Sequence, residues 1–275
     1  MPDIAFVKPA LPKNGVLVLP LAEGAALAGL AREAEEVTGG LFSRALEAAG
    51  FKGRKGQATT LWAVGNWTKV IAVGLGKDAD IGAEAAEAAG GALAPALAQD
   101  REAVVAADAL EPALAARIGF GLLLRAWRFD RYRTKQKEEE KQKLERVAIS
   151  TASTTAAKTA FAPLRAIADG VFLTRELVSE PPNVLTPAEF ADRCKGLERL
   201  GVEVEVLGPK EMKILGHGSS SLPRGSPLKD VHAPRGDAAS MRCEGEDVLA
   251  CYGGARREQP DGRRHTSRAM RARQL

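Results

Sequence analysis

The sequence predicts an α/β protein whose second domain is incomplete. Short apolar runs, such as Val16–Leu19 and Val70–Val73, alternate along the chain with longer Ala-rich stretches. Strands that alternate with helices are typical of a mainly parallel or mixed sheet covered by helices. The pair Pro181-Pro182 separates this region from a second helix–strand pattern, which is lost after Gly216. We therefore expect one complete α/β domain and the opening of another.

The elements of the first region are bounded by residues that break or turn the chain. Pro20 closes the first apolar run, Gly39-Gly40 separates two helical stretches, and Gly65-Asn66 joins two strand-like runs. The charged run 135–143 mixes both signs and is predicted to be a solvated linker or helix surface. The predicted strands are 15–20, 57–64, 69–73, 103–105 and 144–149, and the predicted helices are 25–36, 41–47, 81–98, 114–127 and 155–178.

The segment 179–190 combines a helix stop with a helix start. The two adjacent prolines lack the N–H that a helix needs and push each preceding residue out of the helical region. Thr186 is a favourable N-cap, and Glu189 three residues later completes a capping-box pattern. Leu185 and Phe190 have the spacing of a hydrophobic staple. The pattern predicts a rigid joint between two helices.

Beyond this joint the pattern indicates one α–β–α unit followed by a different kind of sequence. A helix is predicted over 187–200, ended by Gly201, then a strand over 202–206 and a short helix over 208–216. From His217 onward Gly, Pro, Ser and Arg dominate, and no helical or strand period is sustained. The tail 217–275 carries eleven basic and seven acidic residues, which accounts for the whole net charge of +4. We expect this tail to be disordered.

Composition excludes several classes of protein. No apolar run approaches the ~20 residues of a membrane span, and the N-terminus shows no secretory signal pattern. Three scattered cysteines are too few for a disulfide framework, so a reducing cytosol is expected. The basic tail has Tyr252 as its one aromatic residue, which gives no stacking platform for nucleic acid.

The residues alone indicate no catalytic, cofactor-binding or metal site. Gly74–Lys77 resembles a phosphate loop, but Ile71 stands where the first glycine should be, and Asp78 stands where Ser or Thr should follow the lysine. A tight turn after a strand is the prediction there. The three histidines and two of the cysteines lie in the tail, with a Cys spacing unlike that of zinc sites, so we predict neither metal binding nor nucleophilic catalysis from them. These residues are His217, His232, His265, Cys243 and Cys251.

Leu177–Pro187 closely resembles the interdomain segment of the leucyl aminopeptidase (cytosol aminopeptidase) family. Similarity extends to 201–216, to Trp127–Lys135, and to the glycine-bounded segments 39–53 and 73–77. The resemblance implies an N-terminal α/β domain of macro-domain-like topology (1–150), a linker helix and Pro-Pro joint (151–185), and the beginning of the catalytic domain (186–216). It also implies cytoplasmic homohexamers that release N-terminal residues from peptides with two divalent metal ions, zinc, manganese or magnesium.

The chain departs from the family after Gly216. The metal ligands and catalytic Lys and Arg of the family lie downstream, in motifs such as Asn-Thr-Asp-Ala-Glu-Gly-Arg, and 217–275 contains no Asn. His217–Ser221 has a permitted codon spelling that gives Met-Gly-Ala-Leu-Leu when read one base later, which is the sequence that commonly follows Leu-Gly in the family. We therefore expect an off-frame tail, no bound metal and no activity. The alternative is a non-catalytic module that binds a partner, a nucleotide-like ligand or nucleic acid, or a hexamer-associating fragment, built in either case on the N-terminal domain.

Overall fold

The structure is a computed structural model that describes residues 1–208, 214, 238–243 and 246–250. The chain divides into two compact units, Met1–Ser179 and Glu180–Leu275. The predicted α/β class is confirmed by the first unit, which contains a mixed sheet with helices on both faces.

The first unit is built on a six-stranded sheet with the order β1-β6-β5-β2-β4-β3. Neighbouring strands are parallel except β3 and β4, which form an antiparallel hairpin around Gly65-Asn66. The parallel strands need crossover connections, and the helices between them provide these. The strands are β1 (Asp3–Val7), β2 (Val16–Ala22), β3 (Ala58–Val64), β4 (Trp67–Gly76), β5 (Glu102–Ala106) and β6 (Arg146–Ser150).

Each face of this sheet buries its own hydrophobic core. Val18 and Ile71 belong to one core, which the helices α3, α4 and α5 cover. Leu17 and Val70, their neighbours along the same strands, belong to the other core, which α1 and α2 cover. Alternate residues of a strand point to opposite faces, so the uninterrupted apolar runs of β2 and β4 serve both cores. The helices are α1 (Gly29–Val37), α2 (Leu41–Ala48), α3 (Ala83–Ala96), α4 (Pro112–Ala126) and α5 (Thr154–Ser179).

Two glycines allow α3 and α4 to approach at backbone distance. A Cβ placed on Gly90 would lie 2.0 Å from the carbonyl oxygen of Ile118, and one on Gly121 would lie 2.1 Å from that of Glu87. Real Cβ atoms are not found that close to another heavy atom, so only glycine fits at either position. The Arg117 guanidinium forms an ion pair with the Glu87 carboxylate across the same pair of helices.

The second unit contains a helix and a small antiparallel sheet. Gly201 adopts the left-handed conformation at φ 85° and ends the helical segment, as predicted. The sheet has the order β7-β8-β9. Its elements are α6 (Pro187–Lys195), a 3₁₀ turn (Gly196–Leu200), β7 (Glu203–Leu207), β8 (Ala238–Cys243) and β9 (Glu246–Ala250).

Most predicted elements are confirmed to within a few residues, and four differ. β1 was not predicted, since it is only five residues long and forms by pairing with β6 far along the chain. β4 continues through Gly76, where a turn was predicted. The predicted helix 187–200 changes to 3₁₀ geometry at Gly196. In the tail, expected to be disordered, 238–243 and 246–250 form strands, since the edge of β7 offers unpaired backbone groups.

The predicted short helix over 208–216 lies outside the described residues, apart from Gly208 and Ile214. The remainder of the predicted disordered tail lies outside them as well.

Candidate functional site

The carboxyl ends of the parallel strands form the edge at which α/β sheets bind ligands. Connections from β2 and β5 leave in opposite directions along the sheet, so this edge contains a switch point between two neighbouring strands. Asp108, just after β5, accepts a hydrogen bond from the backbone N–H of Leu30 at 3.0 Å. A Cβ on Gly29 would lie 2.0 Å from the same carboxylate oxygen. The N-terminus of α1 is therefore occupied by the chain's own anion.

The glycine motif at the end of β4 serves close backbone packing. A Cβ on Gly74 would lie 2.0 Å from the carbonyl oxygen of Arg54. The Gly76 N–H donates to the Gly53 carbonyl at 2.9 Å, and the Gly56 N–H donates to the Gly74 carbonyl at 2.9 Å. The loop before β3 thus closes over the end of the strand. The glycines are therefore required by the close approach of two backbone segments, and not by the tight turn that was predicted here.

Two buried hydroxyls lie at the end of β6. Ser150 and Thr151 are fully buried, and among the described residues their hydroxyl oxygens make no hydrogen bond. Their backbone groups are paired, since the Ser150 carbonyl accepts from Ala107 at 3.0 Å and the Thr151 N–H donates to Val7 at 3.1 Å. Neither hydroxyl has a histidine near it in sequence, because all three histidines lie after Gly216. Among the described residues, neither hydroxyl has a base beside it that would activate it as a nucleophile.

An aromatic groove of about 580 Å³ lies between the end of α4 and the segment before β6. Trp127 stacks on Phe129 with ring centroids 6.4 Å apart, and Phe129 contacts Tyr132 at 5.7 Å. The Arg175 guanidinium lies over the Trp127 ring at 5.8 Å and donates to the carbonyl of Leu124 at 2.5 Å. Helix α5 thereby fixes the segment that resembles the family, within the first unit.

An ion pair also joins the lining of this aromatic groove to α5. Arg131 pairs with Glu176 of α5 at 2.5 Å. The lining includes further cationic groups alongside the aromatic rings. These contacts hold chain segments in place and do not form a catalytic arrangement.

At the joint, half of the predicted capping box is present. The Thr186 hydroxyl accepts from the Glu189 N–H at 3.3 Å, which confirms Thr186 as the N-cap of α6. The Glu189 carboxylate pairs with Arg193 at 2.9 Å, and the Thr186 N–H donates to the Val184 carbonyl. Arg193 also reaches Glu180 at 3.4 Å, a carboxylate whose side chain is fully buried.

Two neighbouring groups on α6 have a shifted pKa, one because of this ion-pair network and the other because of burial. The hydrogen bond with Glu189 raises the pKa of the Arg193 guanidinium, and Glu180 adds to the effect. Burial raises the pKa of the neighbouring Cys194 thiol, since a thiolate is poorly solvated there. Arg193 is thus held as a cation, while Cys194 is held as a neutral thiol. A protonated, buried thiol is a packing residue rather than a nucleophile.

The described parts of the chain contain no group of three or more His, Cys, Asp or Glu side chains able to hold a metal ion. None of the helices described is long and apolar enough to cross a membrane. The tail residues considered for metal binding, His217, His232, His265 and Cys251, lie outside the described residues, as does the side chain of Cys243.

Comparison with known proteins gives a consistent set of relatives. Residues 18–136 match the family described as cytosol aminopeptidase family, N-terminal domain. The probable cytosol aminopeptidase of Caulobacter vibrioides is 43% identical over 200 residues, which cover 72% of this chain and 41% of the relative. The probable cytosol aminopeptidase of Chelativorans sp. is 40% identical over 227 residues, which cover 79% of this chain and 45% of the relative. The chain spans less than half the length of these relatives.

Solved structures agree with the sequence comparison. A mutant of tomato leucine aminopeptidase aligns with TM-score 0.67 and 25% identity, over 78% of this chain and 46% of that one. The bottromycin maturation enzyme BotP, in complex with Mn, aligns with TM-score 0.60 and 25% identity, over 82% of this chain and 44% of that one.

Proposed function

The chain belongs to the cytosol aminopeptidase family, and we propose that it supplies the N-terminal domain and the beginning of the catalytic domain of a leucyl aminopeptidase. The observation that carries this proposal is the 43% identity to a probable cytosol aminopeptidase over 200 residues. The proposed divisions are 1–150 for the N-terminal domain, 151–185 for the linker helix and joint, and 186–216 for the opening of the catalytic domain. The proposed location is the cytoplasm.

For the intact enzyme we propose metal-dependent hydrolysis that releases N-terminal residues from peptides. Two divalent ions would polarise the scissile carbonyl and activate a water molecule. The residues described here do not fit such a pair of ions, because they contain no cluster of ligands. The tail also has no Asn, which the family's metal-binding motif requires. We therefore assign no step of the reaction to a residue of this chain.

We further propose that the chain as written is inactive because its reading frame shifts by one base near codon 217. The tail holds all of the net charge, all of the histidines and ten arginines against one lysine, which sets it apart from the balanced first 216 residues. The role left to the described chain is to form the N-terminal domain and to begin the catalytic domain at the capped helix α6. Homohexamer formation is a proposal for the frame-restored protein.

The test is an assay of aminopeptidase activity on a leucine anilide with added Mn²⁺ or Zn²⁺. The chain as written and a version with the frame shifted by one base after codon 216 are purified in parallel. We expect turnover from the frame-shifted version alone. Activity that co-elutes with the chain as written would overturn the proposed inactivity. A stop codon within a few codons of the shift would overturn the frame hypothesis.

The second candidate function is a binding module formed by the N-terminal domain. The aromatic groove around Trp127 and Phe129 favours it, since half-buried rings beside cations form a contact surface. If the frame-restored protein has no peptidase activity with either metal, this candidate becomes the preferred one.

A further inference from the structure

Strand β3 lies at one end of the six-stranded sheet, and β4 is its one partner among the described strands. Edge strands of natural proteins are usually protected by charges, prolines or bulges within the strand, because their open backbone groups can pair with another chain. Ala58–Val64 contains no charged residue and no proline. A seven-residue edge of this composition is suited to adding a further strand.

The hydrogen-bond pattern shows which residues of β3 face the open edge. The Gly74 N–H donates to the Gln57 carbonyl at 2.7 Å, so Gln57 faces β4. Backbone groups alternate between the two sides of an antiparallel strand, and Thr59 and Leu61 therefore face β4 as well. Ala58, Thr60 and Trp62 then present their N–H and C=O groups to the open side.

The Trp62 side chain is held at this edge while most of it stays exposed. Its ring lies 5.2 Å from the Lys69 ammonium group. Lys69 is itself fixed, since it donates to the Ala96 carbonyl at 2.5 Å and pairs with Asp100 at 2.7 Å. Trp62 nevertheless remains 70% exposed. A large apolar ring that is held by Lys69 on one face and remains exposed to solvent elsewhere can act as an anchor for an interface.

We propose that β3 pairs antiparallel with β3 of a second copy of this chain, about a twofold axis at Thr60. This arrangement places Thr60 opposite Thr60 of the partner subunit, and Trp62 opposite Ala58 of the partner subunit. The large ring then covers the small side chain, the two Thr residues face each other, and no like charges meet. The two six-stranded sheets form one continuous sheet through a symmetric interface.

The strand's complementarity to itself favours a second copy over an unrelated extended peptide. The Trp at one end and the Ala at the other become complementary when the strand meets its own sequence in reverse. The interface is small compared with the ~1,600 Å² of a stable complex, so we expect association at micromolar rather than nanomolar concentration. The proposal is independent of the peptidase function.

Disulfide trapping tests the register in the full chain. Cα atoms of a hydrogen-bonded antiparallel pair are about 5.5 Å apart, which a disulfide can bridge. In Thr60→Cys the two new thiols meet across the axis. In the control Ala58→Cys they are four residues out of register, about 14 Å apart, which is beyond disulfide reach. Mass spectrometry of the tryptic peptide 56–69 identifies the crosslink regardless of the native cysteines.

We expect peptide 56–69 to be linked to itself in Thr60→Cys and not in Ala58→Cys. Equal linkage in both variants, or linkage in neither, would overturn the proposed register.

Charge substitution tests the association itself. Thr60→Lys and Thr60→Glu each place like charges face to face, so we expect each variant alone to sediment as a monomer under conditions in which the parent dimerises. An equimolar mixture should dimerise again, because opposite charges then meet across the axis. Thr159→Lys is the matched control, since it makes the same change on exposed α5, beside the opposite edge of the sheet.

Two results would overturn the proposal. One is a parent chain that remains monomeric at several hundred micromolar in sedimentation velocity. The other is a Thr60→Lys variant that keeps its native circular dichroism spectrum and dimerises as well as Thr159→Lys does.

Discussion

At the scale of the residue, Ala63 is the clearest departure from a favourable local conformation. It has φ 54°, the one non-glycine residue with positive φ in the described part of the chain. The left-handed conformation costs a residue with a Cβ about 1–2 kcal/mol. Ala63 lies close to the turn at Gly65-Asn66, where the hairpin changes direction abruptly.

We expect Ala63→Gly to raise the free energy of unfolding by about 1 kcal/mol, because glycine adopts this conformation without steric cost. Urea denaturation followed by tryptophan fluorescence measures the change, since all three tryptophans lie in the first unit. Ala58→Gly, in regular strand conformation, is the control and should lower stability by about 0.5–1 kcal/mol. Destabilisation by both variants would contradict the expectation.

At the scale of the element, the contact between α3 and α4 depends on glycine at defined positions. A Cβ placed on Gly90 would lie 2.0 Å from a backbone carbonyl oxygen. A Cβ placed on the adjacent Gly91 would have its nearest neighbour 4.0 Å away. We expect Gly90→Ala to lower the free energy of unfolding by about 3 kcal/mol, since the helices must separate. Gly91→Ala should raise it by up to about 1 kcal/mol through helix propensity.

Thermal or urea unfolding of the two variants measures this contrast between neighbours that make the same chemical change. Similar effects from both substitutions would show that propensity, and not the close contact, dominates. The sequence predicted both helices but not this contact, because a helix tolerates glycine for several reasons and the sequence pattern does not tell which of them applies.

The elements that were predicted well are those with strong local signals. The central strands β2 and β4 are continuous apolar runs, and α6 has an N-cap, a proline and an acidic first turn. β1 and the pairing of β7 with β8 were missed because both depend on partners distant in sequence. Glu189 was predicted to return its carboxylate to the N-cap backbone, but Arg193 competes for it with a charged hydrogen bond.

The aromatic groove and the Asp108 contact could not be predicted either. Trp127 and Phe129 appeared in the sequence as part of a family-like segment, with no sign that Arg175 would lie on one of the rings. Asp108 and Leu30 are 78 residues apart in the chain. Contacts of this kind are set by strand order, and strand order is not encoded in local patterns.

At the scale of the whole molecule, the chain consists of two compact units that carry separate reporters. The tryptophans report on Met1–Ser179, and the buried Cys194 reports on Glu180–Leu275. Because burial raises the pKa of the Cys194 thiol and hides it, alkylation at pH 8 should require opening of the second unit. Thr186→Ala removes the N-cap of α6 and should cost about 1 kcal/mol there.

We expect Thr186→Ala to speed the alkylation of Cys194 about fivefold and to leave the fluorescence transition unchanged. We expect Gly90→Ala to shift the fluorescence transition and to leave the alkylation rate of Cys194 unchanged. Peptide-resolved mass spectrometry after iodoacetamide labelling measures the first effect, and Thr186→Ser is the control that keeps the cap. A shift of both signals by either variant would mean that the two units unfold as one.

The carboxylate of Asp108 at the start of α1 has a consequence for the small molecules that this domain can meet. In many α/β folds the same corner offers bare amide hydrogens and attracts phosphate groups. Here a phosphorylated metabolite would meet a negative charge held in place by the backbone, and it would have to expel that charge before it could bind. The carboxylate at this corner therefore disfavours phosphate groups of small molecules.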